Sequence, residues 1–328
     1  LGPYFVLVLV LGCFRKRGQW RALIKPLLVA IVAGVALFEL YYVAIAGGEY
    51  IQSQQSNRLA IGFSSYMDHV DAIRQWVGGS FSQVQFLLGH FSDKGFRSYF
   101  FVALFLKTPL AAQLLLVIAL AMTFRRRAPF ALQACMLFVI LFLAVSATSR
   151  INLGVRYVMP IFPFAYSAIA IAFADLRADR RLVGGIFGAL LAWHVASSVI
   201  AYPSYISYFN ELVPKRKADQ YLIDSNLDWG QDLRRLALWR KEHGIQSITV
   251  DYFGGGDVRY ELGPGAAQWS LFTSNDPVPK GWFALSRHFY RLSFHPDSKR
   301  RRYDRALAEA GARYVTTVGG SIDVYSVP

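Results

Sequence analysis

The sequence predicts an α-helical multi-pass membrane protein with a small C-terminal α/β domain outside the membrane, and three observations predict it. Hydrophobic residues make up 54% of the 328 residues, above the roughly 45–50% of ordinary globular domains. They gather in blocks at 1–14, 26–46, 99–123, 129–148, 157–174 and 182–202, several of them near the ~20 residues that a bilayer-crossing helix needs. The net charge of +14 is also uneven: up to residue 202 there are 18 Lys and Arg against 7 Asp and Glu, and afterwards 17 against 14. Much of the first excess lies in the short connections 15–25, 125–127 and 177–181, which the positive-inside rule assigns to the cytoplasm.

Taken in order, these features predict a membrane domain over 1–202 with about six spans and an extracytoplasmic domain over 203–328. The first block has only 14 residues, opens with Leu and lacks the basic start of a signal peptide, which reads as the middle of a longer protein. Loop 47–98 then faces outside, where Tyr66, Val70, Ile73 and Val77 fall at helical spacing and suit a helix lying on the membrane surface. Further on, "FLLGHFSDKGFRSYFFVALFLKTP" leads into the third span, and Pro109 admits an interrupted or re-entrant segment. In the tail, 247–253 and 281–286 read as strands, 302–314 as a helix ended by Gly311, and the last residues as a hairpin around Gly319–Gly320.

Several function classes lack their signature. The run "KRRR" (299–302) is too small for a nucleic-acid surface and reads as a solvated face. Cys13 and Cys135 both fall in apolar blocks and suggest neither pairing nor metal binding. "YFGGGD" has glycines after a strand without phosphate-loop spacing. Asp68, His69, Asp71, His90 and Asp93 offer acids and bases but no metal-ligand pattern, so no metal site is assigned, although a divalent ion is compatible with the chain.

The densest polar stretch is "DSNLDWGQD" (224–232). It opens like an EF-hand loop, but Gly230 comes one place late and Arg235 stands where a bidentate Glu is required. A helix start explains more: Asp228 as cap, Gln231 completing a capping box, and a stop at Gly244. Asp224 and Asn226 lie outside that helix and remain candidates for ligand contact.

Ionisable residues within apolar blocks are costly and are read first as functional. Lys107 lies at the outer end of its block, where it either lines a pocket at the Pro109 break or snorkels to the interface. Arg150 and Arg156 bracket the outer turn, where they suit either a phosphate group or ordinary lipid headgroups. Glu39 and His194 are read mainly as partners of neighbouring helices.

"FLLGHFSDKGFRSYFFVALFLKTPL", "INLGVRYVMPIFPF", "YISYFNEL" with "LIDSNLDWGQDL", and "GGSIDVYSV" together resemble bacterial polyprenyl-phosphate-sugar-dependent membrane glycosyltransferases, the group of protein mannosyltransferase-like and lipid A-modifying enzymes. The resemblance implies a GT-C-type fold in the cytoplasmic membrane and an active site at its outer face. It implies inverting transfer of a hexosyl or pentosyl group from a polyprenyl-phosphate donor to a hydroxyl on a glycan, lipid or protein acceptor. Lys107 and Arg156 would hold the donor phosphate, with Arg150, Asp224 and Asn226 contributing to substrate binding; the lipid-linked sugar serves as co-substrate and no cofactor is needed. The base of such enzymes lies in an outer loop upstream of residue 1, so it is not assigned here. Two rival functions are a transporter, which predicts internal repeats that the sequence lacks, and a non-enzymatic envelope protein that binds polymer.

Overall fold

Proline, glycine and short 3₁₀ turns divide the apolar blocks into helices shorter than hydropathy alone predicts. The computed structural model describes residues 84–125, 127–175, 180–296 and 302–328. The expected spans 1–14 and 26–46, the surface helix around 66–77, Cys13, Glu39, Asp68, His69, Asp71, Arg126, Arg177 and most of the run at 299–302 lie outside those residues.

A hairpin comes first, β1 (Gln85–Leu87) and β2 (His90–Ser92), paired antiparallel with Leu87 opposite His90. Leu88 and Gly89 both adopt positive φ, the geometry of a two-residue type I′ turn. Block 99–123 then forms two helices, α1 (Tyr99–Lys107) and α2 (Leu110–Thr123), bent by 120°. Thr108 is extended (φ −99, ψ 135) because a following proline excludes the helical region. Helix α3 (Phe130–Ser146) has 17 residues, about 26 Å at 1.5 Å per residue against the roughly 30 Å of a hydrocarbon core. A 3₁₀ turn at Val155–Val158 delays α4 to Ile161–Asp175, and α5 covers Arg180–Ala201.

Among the described residues, Arg181–Ala201 is one helix long and apolar enough to cross a membrane; α1 and α2 pass only if their bent pair counts as one span, and Phe130–Ser146 and Ile161–Ala174 are shorter. This corrects the multi-pass expectation: hydropathy blocks ignored the breaks at Pro109 and before Ile161. The transmembrane and periplasmic assignments and the placement in the cytoplasmic membrane with an outside tail rested on counting alternate spans and fall with that count, and the GT-C-like architecture that the resemblance implied is not built by the described residues. Small residues pack the helices closely instead, with Ala119, Ala168 and Ala172 fully buried beside Leu115, Leu132 and Met136.

After α5 the chain builds a five-stranded mixed sheet. Helix α6 (Leu233–Glu242) leads into β3 (Ile248–Asp251), and α7 (Val258–Leu262) leads into β4 (Ala266–Gln268). Strand β5 (Gly281–Ser286) runs directly into α8 (Arg287–Leu292), followed by α9 (Tyr303–Glu309), β6 (Arg313–Val318) and β7 (Ile322–Val327). The order is β4-β3-β5-β7-β6, with β3 parallel to both β4 and β5, and β7 antiparallel to β5 and β6.

Alternation along β5 serves two cores, since side chains on a strand point to opposite faces with period two. Ala284 joins Val250, Ile322, Val324 and the α6 residues Leu233 and Leu236, while Phe283 and Leu285 join Tyr303, Ala306 and Leu307 of α9. A third cluster binds α1 to the segment before the sheet, packing Tyr99, Phe100, Ala103 and Leu106 against Phe209, Val213, Leu222 and Leu227.

The β6–β7 turn needs its glycine for two reasons. Gly319 has φ +63, and a Cβ there would overlap the carboxylate of Asp232, which is fully buried and bonded by Arg235 and by Ser321 Oγ at 2.8 Å. Gly244, at φ +62, faces open space. Gly244→Ala should therefore cost only the left-handed backbone penalty of about 1 kcal/mol, and Gly319→Ala about 3 kcal/mol. Equal losses in urea unfolding would remove the Asp232 contact as the reason for that glycine.

Candidate functional site

Residues 224–226 form a one-turn 3₁₀ segment from which the surrounding polar groups are arranged. Asp224 has φ +59, a left-handed conformation that costs most residues 1–2 kcal/mol and that Asp tolerates through local hydrogen bonding. Its Oδ1 accepts from Ser225 N at 2.7 Å, and its carbonyl accepts from Leu227 N at 2.8 Å and Asp228 N at 2.9 Å. The Asp224 N–H donates to His288 Nδ1 at 2.9 Å, which leaves the proton of that buried, neutral ring on Nε2. Burial holds the His288 imidazole down to about 3.

Asn226 is fully buried, and each of its polar groups is engaged. Its Nδ2 donates to Tyr99 Oη at 2.7 Å, its Oδ1 accepts from Val155 N at 3.1 Å, and its carbonyl accepts from Lys107 Nζ at 2.6 Å. The neighbouring Ser225 Oγ donates to the Leu153 carbonyl. Gly154, at φ +116, lies so close that a Cβ would overlap Ser225 Oγ.

Lys107 ends α1 beside this turn. Its ammonium also donates to the Ile206 carbonyl at 2.7 Å and lies 4.5 Å from the Phe209 ring centroid. Burial, the charged form losing its hydration, lowers the amine to about 7. It lines a cavity of about 310 Å³ with Tyr208, His194, Ser197, Ser198 and Tyr205. In that lining the buried His194 Nδ1 and Tyr208 Oη have no partner among the described residues. A second cavity, of about 260 Å³, adjoins it through Thr108, Phe162 and Tyr166, and is walled mainly by apolar residues including Leu104, Ala112, Leu116 and Val139.

Next to Val155, the exposed Arg156 lies over Trp229, with its guanidinium 4.5 Å from the indole centroid and 5.3 Å from the Tyr157 ring. Trp229 is 50% exposed and meets Phe253 edge-on at 5.8 Å; Phe253 stacks on His288 at 3.9 Å. The half-buried Asp224 carboxyl is raised to about 6, chiefly by burial, against which the Ser225 N–H bond and the Arg156 charge act. Arg150 does not join this group: its side chain is exposed, and its carbonyl backs onto Gly95.

Asp228 and Gln231 do not form a capping box. Helix α6 begins at Leu233 with Asp232 at the N-cap position and no side-chain cap bond. Asp228 is fully buried, accepting from Ser286 Oγ and from Gly230 N at 3.0 Å, so it ties the loop to the end of β5. Gln231 accepts from Trp229 N at 2.8 Å and donates to the Leu227 carbonyl at 3.2 Å. The sequence pattern was right for a helix nearby, but Ser286, 58 residues away, draws the carboxylate inward. Sequence reasoning also passed over His288, Tyr99 and Tyr208; "YISYFNEL" contains Tyr208 without any spacing that marks it. His90 and Asp93 are exposed, and no metal-binding cluster is formed among the described residues.

Comparison of the chain with protein-family models, with characterised proteins and with solved structures gives no match. The multi-span active site implied by the resemblance to lipid-linked-sugar glycosyltransferases is not built by the described residues, which corrects the expectation of membrane sugar transfer.

Two outcomes follow for the carboxylates. Asp228→Ser should be destabilised by about 2 kcal/mol, as is Asp228→Ala, because the shorter hydroxyl leaves buried donors unpaired; rescue by Ser in thermal melts would restore the cap. Asp224 binds its proton more tightly folded than unfolded, so its contribution favours the fold below about pH 4 and is lost as pH rises through about 6. Asp224→Asn should flatten the stability profile across that window, and an unchanged slope would show that the carboxyl titrates normally.

Proposed function

We propose that this chain binds an amphiphile whose anionic, phosphate-type head sits beside Lys107 and whose apolar chain fills the adjoining cavity. The observation that supports this is the neighbourhood of the two cavities: a polar one with an amine and two buried polar atoms lacking hydrogen bonds shares Thr108, Phe162 and Tyr166 in its wall with an apolar one. Ligand sites are typically concave and mostly apolar, with few convergent polar groups that fix orientation. An anionic head favours the charged form of Lys107 and offsets its burial, while the Tyr208 and His194 groups gain partners. A polyprenyl-phosphate-linked sugar is an amphiphile of this class, and its prenyl chain suits the apolar wall.

Farnesyl phosphate and farnesol provide the test. A charge-assisted bond contributes about 1.5–3 kcal/mol, roughly ten- to a hundredfold in affinity. The phosphate should therefore bind the wild-type chain at least tenfold more tightly than the alcohol. Lys107→Met should remove that difference, and Ala112→Phe, which fills the apolar cavity, should weaken both. Equal binding of phosphate and alcohol, or a Lys107→Met chain that keeps the preference, would contradict the reading.

A further inference from the structure

We propose that Lys107 is also a nucleophile, which condenses with an aldehyde whose aliphatic chain lies in the adjoining apolar cavity. A lysine is almost never fully buried unless it is paired, and a carboxylate is the usual partner of a buried ammonium. Among the described residues no carboxylate bonds Lys107; its Nζ donates to two backbone carbonyls, of Ile206 at 2.7 Å and of Asn226 at 2.6 Å. Two acceptors match the two N–H groups of an uncharged amine and leave its lone pair unbonded, whereas an ammonium carries a third N–H for which the described residues offer no oxygen. Burial lowers the amine to about 7, so roughly half of it is uncharged at neutral pH, against less than about one part in a thousand for an ordinary lysine near about 10.4. Lysines desolvated in this way are the ones that form imines with carbonyl substrates.

The cavity walls supply the rest of the chemistry. Tyr208 lines the same cavity of about 310 Å³ as Lys107, and its hydroxyl forms no hydrogen bond among the described residues. Burial, and the Glu211 charge after it, raises that hydroxyl to about 12, so it keeps its proton at neutral pH. The Nζ lone pair bonds to the aldehyde carbon while the carbonyl π pair moves to oxygen, which takes the Tyr208 proton; the nitrogen returns one of its own protons to the tyrosinate. The carbinolamine hydroxyl then leaves as water with the Tyr208 proton, and the nitrogen closes the C=N bond and gives up its last proton to Tyr208. One amine and one aldehyde give one imine and one water, with no oxidant or reductant. The wall residues Thr108, Phe162 and Tyr166, common to both cavities, place the carbonyl end on the Lys107 side and the chain against Leu104, Leu116 and Val139. The seat of the chain rests on the amphiphile reading, but the reaction needs an uncharged amine where an anionic head favours a charged one.

Octanal and propanal are the probes, each with cyanoborohydride, which delivers hydride to an imine carbon and fixes it as a secondary amine. Peptide mass mapping of the full chain at pH 7 gives the rate of alkylation at each lysine. With octanal, Lys107 should be alkylated at least about tenfold faster than the exposed Lys241. That ratio should be at least about tenfold smaller with propanal, which has too short a chain to fill the apolar cavity, and Ala112→Phe should remove the advantage of octanal. Tyr208→Phe should slow alkylation of Lys107 at least about tenfold and leave that of Lys241 as it was. Alkylation of Lys107 no faster than of Lys241, equal ratios for the two aldehydes, or an unchanged rate in Tyr208→Phe would overturn the proposal. If the wild-type chain then still prefers farnesyl phosphate to farnesol, imine formation fails alone; fast alkylation of Lys107 without that preference would keep the imine and remove the anionic head.

Discussion

The buried amide of Asn226 is the contact on which the arrangement depends. It has no exposure, and its two side-chain groups and its carbonyl reach three separate parts of the chain: Tyr99 and Lys107 at the two ends of α1, and Val155 in the turn before α4. Leaving any one of these buried groups unpaired costs about 1–3 kcal/mol, so the three contacts select a single position for the turn. That position sets Lys107 against the Asn226 carbonyl and the turn that carries Arg156 against its side-chain amide. His288, holding the Asp224 amide, extends the same connection to the end of β5 and the sheet.

The fold built around this turn is one in which polar contacts join elements and apolar contacts fill them. Asp228 with Ser286, Asp232 with Ser321, and Asp219 with Arg287 and Arg291 are all buried or partly buried links between the 219–232 segment and the sheet or α8. Breaking one partner of such a link strands the other in a low-dielectric interior, which is why these links fix geometry more than they add stability. The cavities lie away from them, among helices α1 to α5, beside the bend at Thr108–Pro109.

What was legible in the sequence was local. Alternation and turn glycines place β3, β5 and the β6–β7 hairpin, and Pro109 marks the break between α1 and α2. Hydropathy overstated helix length because a window of apolar residues does not register that Thr108 is extended or that a 3₁₀ turn occupies 155–158. The parallel pairing of β3 with β5 and the inward turn of Asp228 depend on residues dozens of positions away. Lys107, Arg156, Asp224 and Asn226 could be picked out as costly or unexplained. That one buried amide holds Lys107, Tyr99 and the turn of Val155 could not, since Asn226 and Tyr99 are 127 residues apart.

Native-state hydrogen exchange at Val155 tests the role of Asn226 most directly, because that amide opens the 3₁₀ turn, where it has no intrahelical acceptor, and donates to the Asn226 side chain instead. If the buried turn holds the two halves of the site together, Val155 should exchange only with the global opening that also exposes the core amide of Ala284 in β5. Exchange at Val155 by a low-energy local opening, with Ala284 still protected, would contradict the account.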